Sequence, residues 1–165
     1  MMRGSTFAVV LLAALAACSS GKSEGAQSAA TTSLASAPKH AVSGLPVVPL
    51  TVTSRGGKHA FKVEVAASSE EQAKGLMFRT EMGADEGMIF PMDPPRMASF
   101  WMKNTVIPLD IIYVGKDHRI LNIAAQAVPY DTKPLFSNGP VIAVLELNGG
   151  RAAQLGIGPG DTVKW

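Results

Sequence analysis

Beyond residue 45, glycine, proline or a small polar cluster interrupts the chain about every ten residues, a spacing that leaves room for short strands and little helix. Two such runs, Val47 to Thr53 and His59 to Val65, flank Ser54-Arg55-Gly56-Gly57-Lys58. In the second, Phe61, Val63 and Val65 alternate with Lys62 and Glu64, which predicts a β-hairpin with one wet face. Further strands are expected at Gly87 to Phe90, Met97 to Lys103, Leu109 to Val114, Arg119 to Ala125, Val141 to Leu147 and Thr162 to Trp165. Ser68 stands three residues before Glu71, a capping-box spacing that starts one short helix ending near Gly75. A second helix, Gly150 to Leu155, is expected with Asn148 as its cap and Gly156 closing it. This pattern predicts a mainly β domain, a small β-sandwich or barrel with one or two short helices.

The first residues set a different constraint. Arg3 precedes the apolar run Phe7 to Ala17, which is the layout of a secretory signal and is shorter than the roughly 20 residues a membrane span needs. Leu15-Ala16-Ala17-Cys18 resembles the bacterial lipobox, in which cleavage before the cysteine accompanies lipid attachment to its sulfur. The expected division is therefore a signal peptide over residues 1–17, a lipidated Cys18 with a flexible tether through residue 44, and a single β domain over residues 45–165. The tether is rich in Ser, Ala, Gly and Thr and holds too little apolar surface to offset the entropy of ordering. As a flexible coil it would keep the domain roughly 30 Å from the lipid. Ser19 after the cysteine resembles the pattern of lipoproteins sent to the outer membrane, so the expected location is the cell envelope, facing the periplasm.

Removing Arg3 with the leader lowers the 15 Lys and Arg to 14, against 13 Asp and Glu, and no basic patch calls for nucleic acid. With the one cysteine committed to lipid, no disulfide is available, and about 120 residues must hold together through their own core, as an expected monomer without cofactor.

Several strings occur in a familiar order: Gly75-Leu76-Met77-Phe78-Arg79, Gly87-Met88-Ile89-Phe90, Phe100-Trp101-Met102-Lys103-Asn104-Thr105 and Pro108-Leu109-Asp110. With Leu145-Glu146-Leu147 and Gly156-Ile157-Gly158-Pro159-Gly160-Asp161, residues from about 48 to 165 resemble the domain-of-unknown-function 192 family. The resemblance implies a small β-sandwich of jelly-roll type and no particular activity.

The densest polar cluster is Trp101, Lys103, Asn104 and Thr105 with Asp110, at a strand end, a loop and the next strand start, where sites on a rigid sheet are commonly built. Joined by Arg79 and Glu146, it would offer a cation, an amide, carboxylates and a stacking face to a polar ligand such as a carbohydrate, or to a protein partner. The same residues also fit a plain scaffold of loop caps, ion pairs and a core tryptophan. A rival reading is a hydrolase of envelope polysaccharide in which Asp110 and Glu146 act as general acid and base. A weaker one is Cu(I) binding by thioethers, since Met77, Met82, Met88, Met92, Met97 and Met102 crowd one stretch; their spacing of four to six favours core filler, and no other metal site is expected. His40, His59 and His118 lie in tether, strand start and turn, and support no histidine chemistry.

Cys18→Ser is expected to move the protein out of the membrane fraction or leave it as precursor, which fractionation and mass measurement check; unchanged fractionation would overturn the lipobox assignment.

Overall fold

The computed structural model describes residues 34–165; the expected leader, Cys18 and residues through 33 lie outside the described residues. Strands β1 (Val47–Ser54) and β2 (Gly57–Val65) form the expected hairpin, with Leu50 opposite Phe61 and Val48 opposite Val63. Helix α1 (Ser69–Lys74) then crosses over to β3 (Glu86–Arg96), which runs parallel to β2. The capping box forms: Glu71 N–H donates to the Ser68 hydroxyl at 3.2 Å, and the Glu71 carboxylate accepts the Ser68 N–H at 2.7 Å. These bonds, with those of Ser68 first in importance, hold the Glu71 carboxyl below its ordinary value.

After β4 (Ser99–Phe100) come β5 (Leu109–Gly115), β6 (Ile120–Ala127), β7 (Leu135–Phe136), β8 (Val141–Asn148), helix α2 (Arg151–Gln154) and β9 (Thr162–Lys164). Seven strands make one sheet in the order β6-β5-β8-β3-β2-β1-β9, while β4 and β7 form a separate two-stranded ribbon. The long sheet curls until its edges meet: Arg119, just before β6, bridges Thr162 of β9. This half-barrel is the mainly β fold with two short helices that the turn spacing predicts. Its concave face buries Leu50, Val52, Val63, Ile89, Ile112, Val114, Leu145 and Val163 against one another. The convex face holds Met88, Phe90, Ile111, Tyr113 and Val144, and is covered by α1, the β4–β7 ribbon and the loops around them. Strand β5, flanked by β6 and β8, is buried along its whole length because both faces are covered, which explains its unbroken apolar run.

Several elements differ from the sequence expectation. The strand expected over Met97 to Lys103 shrinks to Ser99–Phe100, since Met102 N–H turns to the Asp131 carbonyl and Thr105 N–H to that of Met102. Strand β3 runs on past Phe90 through three prolines. β2 has ended at Val65 by then, and the register to β8 shifts between Pro91 and Arg96, so few ladder donors are missed. The domain also begins earlier than residue 45. Lys39 bridges Pro46, Ala37 is buried in the core, and His40 and Ser43 reach Glu64, so the stretch from Leu34 packs as part of the domain instead of extending as tether.

Helix α2 is held from across the fold. Asn148, expected to cap it, instead donates its amide to the carbonyls of Met82 and Gly83 at 2.9 and 3.0 Å. The cap position is Gly150, at φ 86°, which offers no side chain. Asp110, fully buried on β5, supplies what is missing: its carboxylate accepts the N–H groups of Gly150 at 2.9 Å, Ala152 at 2.8 Å and Gln126 at 2.8 Å. The Gln126 bond fills a bulge, since pairing between β5 and β6 slips between Leu109 and Ile111 opposite the left-handed Gln126, at φ 50°.

Asp110→Ala leaves three amides without their acceptor and is expected to cost about 3 kcal/mol, given about 1–3 kcal/mol for each unsatisfied buried group. Urea unfolding checks this; a loss under about 1 kcal/mol would show that α2 is held by other contacts.

Candidate functional site

The convex face carries two buried carboxylates in a single cross-strand row. Glu64 on β2 lies opposite Met88 on β3, Met88 opposite Glu146 on β8, and Glu146 opposite Ile111 on β5. Two strand spacings, about 9.6 Å, separate the two glutamates. Glu64, placed on a wet face by the alternation of β2, is instead 4 % exposed because the residue 40–46 segment and the loop after α1 cover it. Arg79 grips it bidentately, Nη1 to Oε1 at 2.8 Å and Nη2 to Oε2 at 3.1 Å, while the Ser43 hydroxyl donates to Oε2. A buried carboxylate so held is satisfied and structural.

Glu146 is the opposite case. It is 4 % exposed, yet it makes no hydrogen bond or ion pair with any described residue. Met88, Ile111 and Val144 surround it on the sheet, and burial pushes its carboxyl up to about 8. The carboxyl is therefore protonated at neutral pH, and a lone buried acid is tolerated only in that form. Tyr113, diagonally beside it, donates its hydroxyl to the Leu135 carbonyl at 2.7 Å. Its own pKa is raised by burial and, secondarily, by the Glu146 charge.

Glu146 forms part of the lining of a cleft of about 600 Å³. The walls are Leu76, Met77, Phe90, Met92, Phe100 and Trp101, and the mouth carries Gln72, Lys74 and Arg96. Phe100 is set there by the β4–β7 ribbon and meets Phe90 edge-on at 5.0 Å and Tyr113 at 6.4 Å. Helix α1 is pinned along the cleft by Gln72, whose amide donates to the carbonyls of Pro91 at 2.8 Å and Ala66 at 3.2 Å. Its end passes Phe90 so closely that a Cβ at Gly75 would meet the ring at 3.4 Å, and the left-handed φ of 47° there also favours glycine. A second cleft of about 680 Å³ lies on the far side of Lys74 and Met77, but there the buried acid is already closed by Arg79. The unpartnered acid makes the Glu146 cleft the candidate site.

The expected site residues divide. Trp101, Thr105 and Glu146 do line one cleft. Trp101 is 49 % exposed, and the Lys103 ammonium sits over its outer ring face at 5.3 Å. Asn104, left-handed at φ 57°, uses its carbonyl for the Phe78 N–H at 2.8 Å and points its amide at the Met77 sulfur at 3.9 Å, so it shapes the wall without entering the cleft. Arg79 belongs with Glu64 and is no part of the Trp101 cluster. Asp110 pairs across to Leu147, one residue past Glu146, and so projects from the concave face. The pairing of Asp110 and Glu146 as acid and base is thereby corrected: they lie on opposite faces of the sheet, and Asp110 is sealed by backbone amides. Of the six methionines, Met77, Met92 and Met97 line the cleft, while Met88, Met102 and Met82 pack in the core. Phe90, Phe100, Gln72 and Arg96 were missed from sequence; only the wide chain separation of these residues concealed them.

The family model DUF192, described as Uncharacterized ACR, matches residues 50–165. The chain is 65 % identical to the crystal structure of a protein of unknown function from Novosphingobium aromaticivorans DSM 12444, with a TM-score of 0.77 over 78 % of this chain and 91 % of that one. It is 36 % identical to a proposed transcription regulator from Sinorhizobium meliloti 1021, with a TM-score of 0.71 over 73 % of this chain and 94 % of that one. No curated protein matches.

Glu146 also fixes a pH dependence. Its carboxyl titrates near 8 when folded and near 4.5 when unfolded, so between these values the folded state holds a proton that the unfolded state has released. Its contribution to stability is complete below about pH 4.5 and falls by about 1.4 kcal/mol per unit as pH rises toward 8. Glu146→Gln is expected to remove that slope. Urea unfolding of both proteins from pH 5 to 9 measures the difference, and parallel curves would overturn the buried-acid assignment.

Proposed function

The chain belongs to the DUF192 family, and from that premise we propose that it is an exported, membrane-tethered binding module whose cleft takes a small polar ligand on Glu146. One observation carries this reading: a buried carboxyl without a partner among the described residues opens on a cleft that Phe90, Phe100 and Trp101 help to wall. A fold that satisfies Asp110 with three amides and Glu64 with an arginine has left this third acid unmatched among the described residues at a cost in stability, and functional sites are where that cost is tolerated. The strained left-handed residues Phe78, Asn104 and Tyr130 add support. They join through the Phe78 N–H to the Asn104 carbonyl and the Tyr130 N–H to that of Thr105, beside the Trp101 wall.

In this reading the lipid on Cys18 holds the domain at the envelope, facing the periplasm at the outer membrane, and the ligand is met there as a carbohydrate, another small polar molecule or a group on an envelope protein. The near-balanced charge counts against the nucleic-acid role that the label of the Sinorhizobium protein would suggest.

A thermal-shift screen of glycans and metabolites on the full chain tests the proposal. A true ligand at a hundredfold its Kd adds about 2.7 kcal/mol, a rise of several degrees. The rise is expected to vanish in Glu146→Leu, which by itself should melt no lower than the parent because it removes an unpaired buried acid. A screen with no Glu146-dependent stabilisation would overturn the binding role.

A further inference from the structure

Two of the polar side chains that line the cleft away from its exposed rim are already committed. Both amide hydrogens of Gln72 are spent on backbone carbonyls, and its oxygen faces Arg96 Nη2 at 3.4 Å. The Thr105 hydroxyl donates to the Lys103 carbonyl at 3.3 Å. That leaves the Glu146 carboxyl as the buried group of the cleft without a partner among the described residues, set among Leu76, Phe90, Met92, Phe100 and Trp101, while the free hydroxyls of Ser69 and Ser99 stand at the exposed rim. A ligand with hydroxyls all round would find one partner at the buried floor and leave the groups facing the apolar walls dry. A ligand with one donor-rich end and an apolar body would leave none.

Resting on the binding role above, we propose that the ligand is a small organic monoamine, its ammonium seated on the Glu146 carboxylate and its apolar body against Phe90, Phe100 and Trp101. An ammonium has three donors and no acceptor, the complement of a carboxylate with no hydrogen bonds. Aromatic faces attract a cation through the ring quadrupole and also bury its hydrocarbon. The charged and titratable groups around Glu146 fit this choice. On β5 the Tyr113 hydroxyl is neutral and held by Leu135, and on β2 the charge of Glu64 is met by Arg79. On α1 and β3, Lys74 and Arg96 stand exposed at the mouth, and Lys103 lies over the outer face of Trp101. These mouth cations, screened by water, admit one ammonium to the floor but repel a second on the same ligand, so a monoamine is favoured over a diamine.

Binding is a proton exchange. The neutral acid and the ammonium go to an ion pair, and the carboxyl proton leaves to solvent. Since Glu146 titrates near 8 in the empty site, affinity rises about tenfold per pH unit up to that point and then levels.

Calorimetry on the full chain tests this with phenethylamine, its neutral counterpart 2-phenylethanol, putrescine and glucose. The expected result is phenethylamine binding that strengthens about fiftyfold from pH 6 to 8 and, at pH 6, releases about one proton by its dependence on buffer ionisation heat. Glu146→Gln should weaken it at least tenfold at pH 8 while melting no lower than the parent, and putrescine should bind more weakly than phenethylamine. Equal binding of 2-phenylethanol, or an affinity independent of pH, overturns the amine assignment. Glucose binding that depends on Glu146, with the amines inert, overturns it while leaving the binding role standing; absence of any Glu146-dependent ligand, including those of the wider screen, removes both.

Discussion

A curled sheet has two faces, and only the concave one can bury itself. In this protein the concave side chains of seven strands meet one another directly, from Leu50 and Val63 to Ile112 and Leu145. The convex side chains, Met88, Phe90, Ile111 and Tyr113 among them, are as apolar but have nothing opposite them within the sheet. Exposing them would forfeit about 25 cal/mol for every Å² of apolar surface left wet. The crossover helix, the two-stranded ribbon and the segment before β1 are the cover that this constraint demands. Each is short, each is anchored by a few specific bonds, and they do not tile the face completely. The opening between α1 and the ribbon is the Glu146 cleft.

The carboxylates show how unevenly that cover was built. Asp110 receives three backbone amides and, in return, fixes α2 and a bulge between β5 and β6. Glu64 takes a bidentate arginine and a serine hydroxyl, tying the loop after α1 and the segment before β1 to the sheet. In both, the energy of leaving one partner alone exceeds what the pair contributes, so they act as staples whose halves need each other. Glu146, two strand spacings from Glu64 on the same face, is matched by no described residue and stays neutral at pH 7. The difference lies in what the covering segments bring with them: Arg79 comes down over one acid, whereas the segments near the other present Phe90, Phe100 and Trp101.

Much of the secondary structure was legible because its causes are local. The β1–β2 hairpin follows from alternation around a glycine turn, and the start of α1 from two side chains three residues apart. The expected Met97 to Lys103 strand was not legible as a turn, because what bends it is the Asp131 carbonyl, 29 residues on from Met102. Alternation likewise put Glu64 in water, correctly for an uncovered strand and wrongly once a distant segment lay over it. For α2, Asn148 was a plausible local cap, but the acceptor that serves comes from Asp110, forty residues before Gly150.

The sequence by itself determined the strand pattern, the mainly β class, the capping box and the family, since each rests on residue types and spacings within one short stretch. Tertiary structure alone decided which acids are partnered. That choice is set by cross-strand register, where a shift of one residue moves a side chain to the other face: Asp110 lies opposite Leu147, and its neighbour Ile111 opposite Glu146. Spacing along the chain placed these two acids in one candidate site; the pleat put them on opposite sides of the sheet, one sealed by amides and one open to the cleft.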